Sequence, residues 1–323
     1  MQGIRQQFIE CNISEDITNV LMSSWRPSTQ KQYDVHIRRW VEFCLQRKID
    51  SLRPNINDVL EFLHSLHIKE LSYSTINTAR SVLSNYLMGF EFPGTHYSIT
   101  DHPFVARYLK RVFNFVKPTP RYQETWDINP VLKYIELWSP LEKLSYKELT
   151  FKLVILLALT SGQRCQTLSF LDIDNMKENA DYYLFYIRDH VKQDRPGKIF
   201  ASFIVKKYVK QELCVYSTLR HYIEVTKSVR NEGNLRLLIS YVKPYRPVST
   251  STIERWIKTV LHASGVDTTR FKAHSTRAAA TSKASQMIST DEILKHIGCS
   301  QVTTFQTFYN KPVLTDFAAA VLR

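Results

Sequence analysis

The hydrophobic pattern of the first third of the chain is helical throughout. Tyr33, Ile37, Trp40, Val41 and Cys44 recur at three- and four-residue steps behind the capping residues Ser28 and Thr29, which defines one buried helix face. Asn57 or Asp58 starts a second helix through Val59, Phe62, Leu63 and Leu66. Ser74 caps a third through Ile76, Ala79, Val82, Leu83 and Tyr86, and a fourth occupies residues 105–116. Pro118 and Pro120 then hold the backbone extended and mark the best domain boundary.

Beyond that boundary an apolar run at 151–159 reads as a helix that enters residues 160–164. Aromatic and β-branched runs at 182–187 and 199–205 flank a turn at 192–197, so a small hairpin or sheet is expected. Helical periodicity returns at 217–226, 252–261, 274–285, 291–297 and 303–309, and no repeat of about 20–50 residues is visible. The fold class expected is therefore mainly α with a small β-sheet. At 323 residues the chain has room for two cores: a helical bundle at 14–117, a linker at 118–124 and a second domain at 125–323.

Charge narrows the class of partner. A formal net charge of +13 favours a polyanion through counterion release, with nucleic acid ahead of an acidic membrane surface. Cations interleave with the apolar stripes at Lys31, Arg38, Arg39, Arg80, Lys110 and Arg111, as a groove-lining surface would require. No run reaches the roughly 18 apolar residues of a membrane span, and the N-terminal segment lacks the apolar core of a signal peptide. The five cysteines are scattered and never fall in a ligand spacing, so a reducing intracellular compartment and no structural zinc are expected.

The chemistry concentrates in the second half. His274 and Arg277 sit three apart at the start of an alanine-rich helical pattern, where both side chains and the helix N-terminus can face one anion. Phe305, Phe308 and Tyr309 share a helical stripe; alone, it reads as core.

Taken together, the segments 25–33 (WRPSTQKQY), 160–168 (TSGQRCQTL), 191–197 (VKQDRPG), 274–278 (HSTRA) and 304–309 (TFQTFY) resemble the tyrosine recombinase, or phage-integrase-like, family. The likeness in motifs is greatest to its DIRS-like retrotransposon branch. It implies a SAM-like core-binding bundle followed by a DNA breaking-rejoining catalytic domain, closing as a positive clamp on duplex DNA. It further implies a site-specific recombinase or integrase of a mobile element, acting in the nucleus without metal, ATP, other cofactor or small-molecule substrate.

By the same resemblance Arg164 and Arg277 bind the phosphate, Lys192 is the hairpin lysine, His274 completes the pair with Arg277, and Tyr309 is the nucleophile. Thr29, Lys31 and Arg80 are the expected DNA contacts of the first domain. A free phenol has a pKa of about 10, so Tyr309 needs neighbouring cations or a base such as His274 to attack a phosphodiester. Two planar guanidinium forks suit the non-bridging oxygens, and an ammonium beside them suits protonation of the leaving 5′-oxygen. Arg195 and Lys198 share the turn with Lys192 and are alternatives for that acid.

Two positions depart from the family pattern. Thr167 stands where many relatives carry an acid, and Cys299 falls where they place His or Trp beside the scissile phosphate. Three readings of Cys299 follow: a slower but working site, substitution by His296, or a decaying copy. An apolar tail at 317–322, capped by Thr315 or Asp316, is expected to dock on a neighbouring protomer within a tetramer on DNA. The rival readings are a recombinase-derived DNA-binding protein that no longer cuts, and a monomeric type IB topoisomerase.

Overall fold

Proline sets where the longest helix of the N-terminal unit begins. Pro27 occupies the first position of α3 (Pro27–Arg47), where its missing N–H costs nothing, and the helix starts one residue ahead of the expected Ser28 and Thr29 cap. The computed structural model describes residues 1–88, 97–99, 101–115, 122–191, 194, 197, 202–230, 233–299 and 301–312. The chain divides into two compact units, Met1–Thr119 and Pro120–Arg323.

In the first unit α3 is preceded by α1 (Gln2–Glu10) and α2 (Glu15–Ser23), and followed by α4 (Ile56–Ile68), α5 (Tyr73–Tyr86) and α6 (Pro103–Phe115). Helix α1, which bounds of 14–117 leave out, belongs to this unit because Ile4 and Phe8 are buried in its core. The periodic residues of the sequence do form that core. Trp40 packs edge-on to Phe62 at 5.1 Å between ring centroids, Phe43 meets the same ring at 5.5 Å, and the Trp40 indole N–H donates to the Ser51 carbonyl at 3.0 Å.

Two helix starts differ from the sequence reading. Asn55, not Asn57 or Asp58, caps α4, because its side chain accepts from the Asp58 amide while the Asp58 carboxylate accepts from the Asn55 amide. Ser72, not Ser74, caps α5 by accepting from the Thr75 amide. In both cases a polar residue two or three places upstream accepts a first-turn amide that the expected residue, already inside the helix, cannot, and at α4 the bond is reciprocated.

The second unit is built around α8 (Tyr146–Ser161), whose residues from Leu149 to Ala158 are all buried. That enclosure includes Lys152, whose ammonium donates to the Trp138 carbonyl and whose pKa is lowered by burial. Around it lie α7 (Asn129–Glu136), the short α9 (Cys165–Ser169), α10 (Val215–Thr226) and α11 (Thr250–Ala263), followed by α12 (Ser275–Ala284), α13 (Thr290–Ile297) and α14 (Val302–Phe308).

One antiparallel sheet of order β1-β2-β3 covers part of this core, with β1 (Met176–Glu178), β2 (Tyr182–Tyr186) and β3 (Ser202–Lys206). Its register sets Tyr183 against Val205 and Phe185 against Phe203, and those four side chains form the buried face. The fold is thus mainly helical with a small sheet, as the sequence patterning anticipates; α1, α2, α7, α9 and β1 are too short or too weakly periodic to read there. Among the described residues no helix is long and apolar enough to cross a membrane.

Candidate active site

Arg164 is positioned by a helix stop. Gly162 ends α8 in the left-handed conformation at φ +58°, and a Cβ there would lie 3.2 Å from the Ile297 side chain, so glycine is required both for the turn and for the approach of α13. The chain then passes Gln163, whose side-chain amide donates to the His296 carbonyl at 2.9 Å, and reaches Arg164, half-buried at the N-terminus of α9. Thr167 follows one turn into α9 and is buried.

His274 and Arg277 open α12. His274 is its N-terminal flanking residue and exposed, whereas Arg277, one turn in, is only 2% exposed. Helix α12 is itself fixed from below, because the Trp126 indole donates to the Ser275 hydroxyl at 2.9 Å and that hydroxyl donates to the Lys272 carbonyl at 2.7 Å.

Tyr309 comes to this pair from the end of α14. It terminates the helix, with φ of −125°, and lies one turn past Phe305 in the same buried cluster. Phe305 is fully buried, Tyr309 is buried at 7% exposure, and Phe308, expected on the same stripe, is 52% exposed. The Tyr309 amide still donates to the Phe305 carbonyl at 2.8 Å, so the four-residue step sets its ring on the buried Phe305 face. The Arg277 guanidinium sits 4.6 Å from the Tyr309 ring centroid, and the His274 ring meets the same ring edge-on at 6.2 Å.

The electrostatics of this cluster are those of a cation held without its counter-charge. Burial first, and the like charge of Arg164 second, push the Arg277 guanidinium down to about 10, against the pull of Tyr309 and Cys299. One of its amino groups donates to the Ile297 carbonyl at 3.0 Å, while Nε and Nη1 are buried with no hydrogen-bond partner among the described residues. Buried donors without acceptors are costly and rare, and two on one guanidinium fit an oxyanion that would supply the missing acceptors.

Two positions left open by the sequence separate here. Cys299 is half-buried against the cluster of Tyr309, Phe305, Ile297 and Ala278, and is close enough to Arg277 to affect its charge. His296 lines a cavity of about 550 Å³ with Leu159, Thr160, Lys206 and Tyr208, and a smaller one with Gly162, Thr281 and Ile297. Lys192 and the tail at 313–323 lie outside the described residues, as do Arg195 and Lys198. Asp189, three residues before Lys192, is anchored, since Arg236 donates to both its carboxylate oxygens at 2.7 and 3.0 Å.

Sequence reasoning does not find the residues that hold Tyr309. The Thr281 and Ser282 hydroxyls, both buried on α12, each lie 2.9 Å from the Tyr309 carbonyl, and Ser282 also accepts from the Lys311 amide at 2.9 Å. Nothing local in a Thr-Ser pair signals a partner 27 or 28 residues away.

In the first unit Thr29 is half-buried in the first turn of α3, Lys31 is exposed, and Arg80 is half-buried with one amino group donating to Asn77 at 3.0 Å. Arg80 lines a shallow cavity with Tyr73, Asn77, Lys110 and Phe113.

No protein-family model matches the sequence, and no curated protein sequence matches it. Solved structures do. The XerH site-specific recombinase in a pre-cleavage complex with its difH substrate aligns over 91% of this chain and 79% of its own, at 13% identity and a TM-score of 0.60. A lambda integrase tetramer bound to a Holliday junction aligns over 92% and 76%, at 15% identity and 0.55. The Tn1549 transposon integrase in complex with circular intermediate DNA aligns over 83% and 84%, at 16% identity and 0.52. The structural neighbours are thus tyrosine recombinases and integrases, and the fold is theirs.

Proposed function

We propose that the protein is a site-specific DNA recombinase that breaks and rejoins DNA strands through Tyr309. The observation that carries this reading is the pair of unpartnered donors on buried Arg277, directly beneath the Tyr309 ring and beside Arg164 and His274. In the reaction the Tyr309 oxygen attacks phosphorus, its proton passing to His274 or to solvent. A 3′-phosphotyrosyl bond forms as the bond to the 5′-oxygen breaks, and Lys192 supplies the proton that makes the leaving group a hydroxyl.

Arg164 and Arg277 stabilise the charge that builds on the non-bridging oxygens, where preorganised cations in a water-poor site act most strongly. The phosphotyrosyl bond conserves the energy of the phosphodiester, so a 5′-hydroxyl from another duplex reseals the strand and the chemistry needs neither metal nor ATP. Cys299 takes the sixth position beside the phosphate in preference to His296, since only Cys299 shares the space around Arg277 and Tyr309.

The motif likeness to DIRS-like elements supports a mobile-element integrase working in the nucleus. Thr29, Lys31 and Arg80 contact duplex DNA, and four protomers assemble on it with the tail at 317–322 exchanged in trans. Lambda integrase, of the same fold, forms a tetramer on a Holliday junction. The test is covalent trapping: the protein is incubated with a pool of nicked duplexes of randomised sequence, and adducts are resolved under denaturing conditions. An adduct that Tyr309→Phe abolishes supports the proposal. Salt-sensitive binding without any adduct supports a DNA-binding protein that no longer cuts.

A further inference from the structure

The end of α14 is tied to α12 by hydroxyl groups that no general feature of the fold requires. Ser282, 4% exposed, accepts the Lys311 amide and lies 2.9 Å from the Tyr309 carbonyl, so one hydroxyl uses an acceptor and a donor function on residues either side of Asn310. Thr281, 2% exposed, reaches the same carbonyl at 2.9 Å, but its single proton also has the Arg277 carbonyl at 2.9 Å and the Ala278 carbonyl at 3.2 Å within its own helix. A hydroxyl has one proton to give, so Thr281 is contested and Ser282 is committed. Two residues on, the Pro312 carbonyl accepts the Thr125 amide at 2.8 Å, which extends the attachment in the same unit.

Two amides tie this stretch to α14, those of Tyr309 and Asn310, which donate to the Phe305 carbonyl at 2.8 and 2.9 Å. The Tyr309 carbonyl and the Lys311 amide, on the far side of the residue, are held in addition by the contacts from α12. Helix α12 also carries Arg277, so the phenol and the guanidinium it covers are referenced to one rigid element.

We propose that Ser282 is the positioning residue for Tyr309: its hydroxyl sets the backbone from which the phenol reaches the phosphate, with Thr281 as a weaker second donor. This rests on Tyr309 being the nucleophile. Ser282 touches neither substrate nor the reacting oxygen, so its loss should act on the attack step and not on DNA affinity.

The experiment measures the single-turnover rate of adduct formation on trapped DNA selected from the randomised nicked pool, together with the dissociation constant for that DNA and the melting temperature. Ser282→Ala is expected to slow adduct formation about tenfold, the scale of one hydrogen bond that holds a reacting group, with affinity unchanged. Thr281→Val should cost about threefold or less, since its proton has other acceptors. Ser282→Thr, which keeps the hydroxyl, should recover most of the rate. Ser285→Ala, which removes a neighbouring hydroxyl that contacts only the Asn310 side chain and its own helix, should match the parent. Hydrogen exchange at the Lys311 amide should quicken in Ser282→Ala. If Ser282→Ala does not fold, Ser282→Cys, which keeps the volume but donates weakly, takes its place with the same loss expected. A parent-like rate in the folded variant, or a rate loss matched by an equal loss of DNA affinity, overturns the proposal. If the parent protein forms no adduct, the nucleophile reading fails and this proposal falls with it, whereas a parent adduct with no Ser282 effect sinks the positioning role alone.

Discussion

The Arg277 guanidinium lies 4.6 Å from the centroid of the Tyr309 ring, so the side chain proposed to attack the phosphate covers one of those proposed to bind it. A ring face is a weak partner for a buried cation compared with a phosphate oxygen. The arrangement holds Arg277 in a state that an incoming anion improves, and this governs the first two predictions.

Replacing Arg277 should separate stability from activity. Its fall from the ordinary guanidinium value to about 10 corresponds to about 3 kcal/mol against the charged form, an order-of-magnitude cost. The sign is that of a base with a depressed folded-state pKa: the cost is present in full at neutral pH and is relieved only as pH rises through about 10. Arg277→Met, of similar apolar volume, should therefore melt at or above the parent temperature at pH 7 while losing adduct formation by about a thousandfold. Differential scanning calorimetry and the trapping assay check the two halves.

Oxyanions should stabilise the second unit. Sulfate or orthovanadate at concentrations well above its dissociation constant should raise the melting temperature, and Arg277→Met should lose the rise, since linkage stabilises only a state that has the site. An equal rise in the variant would mean that the effect is nonspecific ion exclusion.

Tyr309→Phe should remove the adduct without unfolding the site. The ring that stacks on Arg277 and packs with Phe305 and Ile297 is kept, so stability should stay within about 1 kcal/mol, whereas Tyr309→Ala should cost about 3 kcal/mol through the cavity it leaves. Chemical denaturation of both variants gives the comparison.

Cys299→His should speed cleavage. A thiol is a poor hydrogen-bond donor and an imidazole a good one at the same place beside Arg277, so a gain of about three- to tenfold is expected. His296→Ala should leave the rate unaltered, because His296 is exposed whereas Cys299 packs against Tyr309 and Ile297. A loss of rate in His296→Ala would reverse the assignment.

Loosening the anchor of the Lys192 turn should act on the leaving group. Arg236→Ala breaks the two-point bond to Asp189, whose carboxyl is held below the usual range chiefly by that hydrogen bond, and should cost about 1–2 kcal/mol of stability. It should also slow cleavage, and a substrate with a 5′-bridging sulfur, whose thiolate leaves without an acid, should recover the rate. Failure of that substrate to recover it would separate the anchor from the acid.

The sequence by itself determined what is periodic or local. Trp40, Phe62 and Val82 are buried because apolar side chains three and four apart share one helix face, and Leu153 to Leu157 because a helix apolar all round is enclosed on every side. The charge imbalance and the residue types of Arg164, His274, Arg277 and Tyr309 were also legible, since motif spacing lies in the chain itself. Only the tertiary structure decided that Arg277 is buried while His274 is exposed, that Tyr309 is buried with Phe305 while Phe308 faces out, and that Cys299 adjoins Arg277 and Tyr309. Each depends on contacts between segments some 20 or more residues apart, as with the bonds from Arg277 to Ile297 and from Ser282 to Tyr309. A periodic pattern records which face of an element is covered, not which partner covers it, and at this site the partner supplies the chemistry.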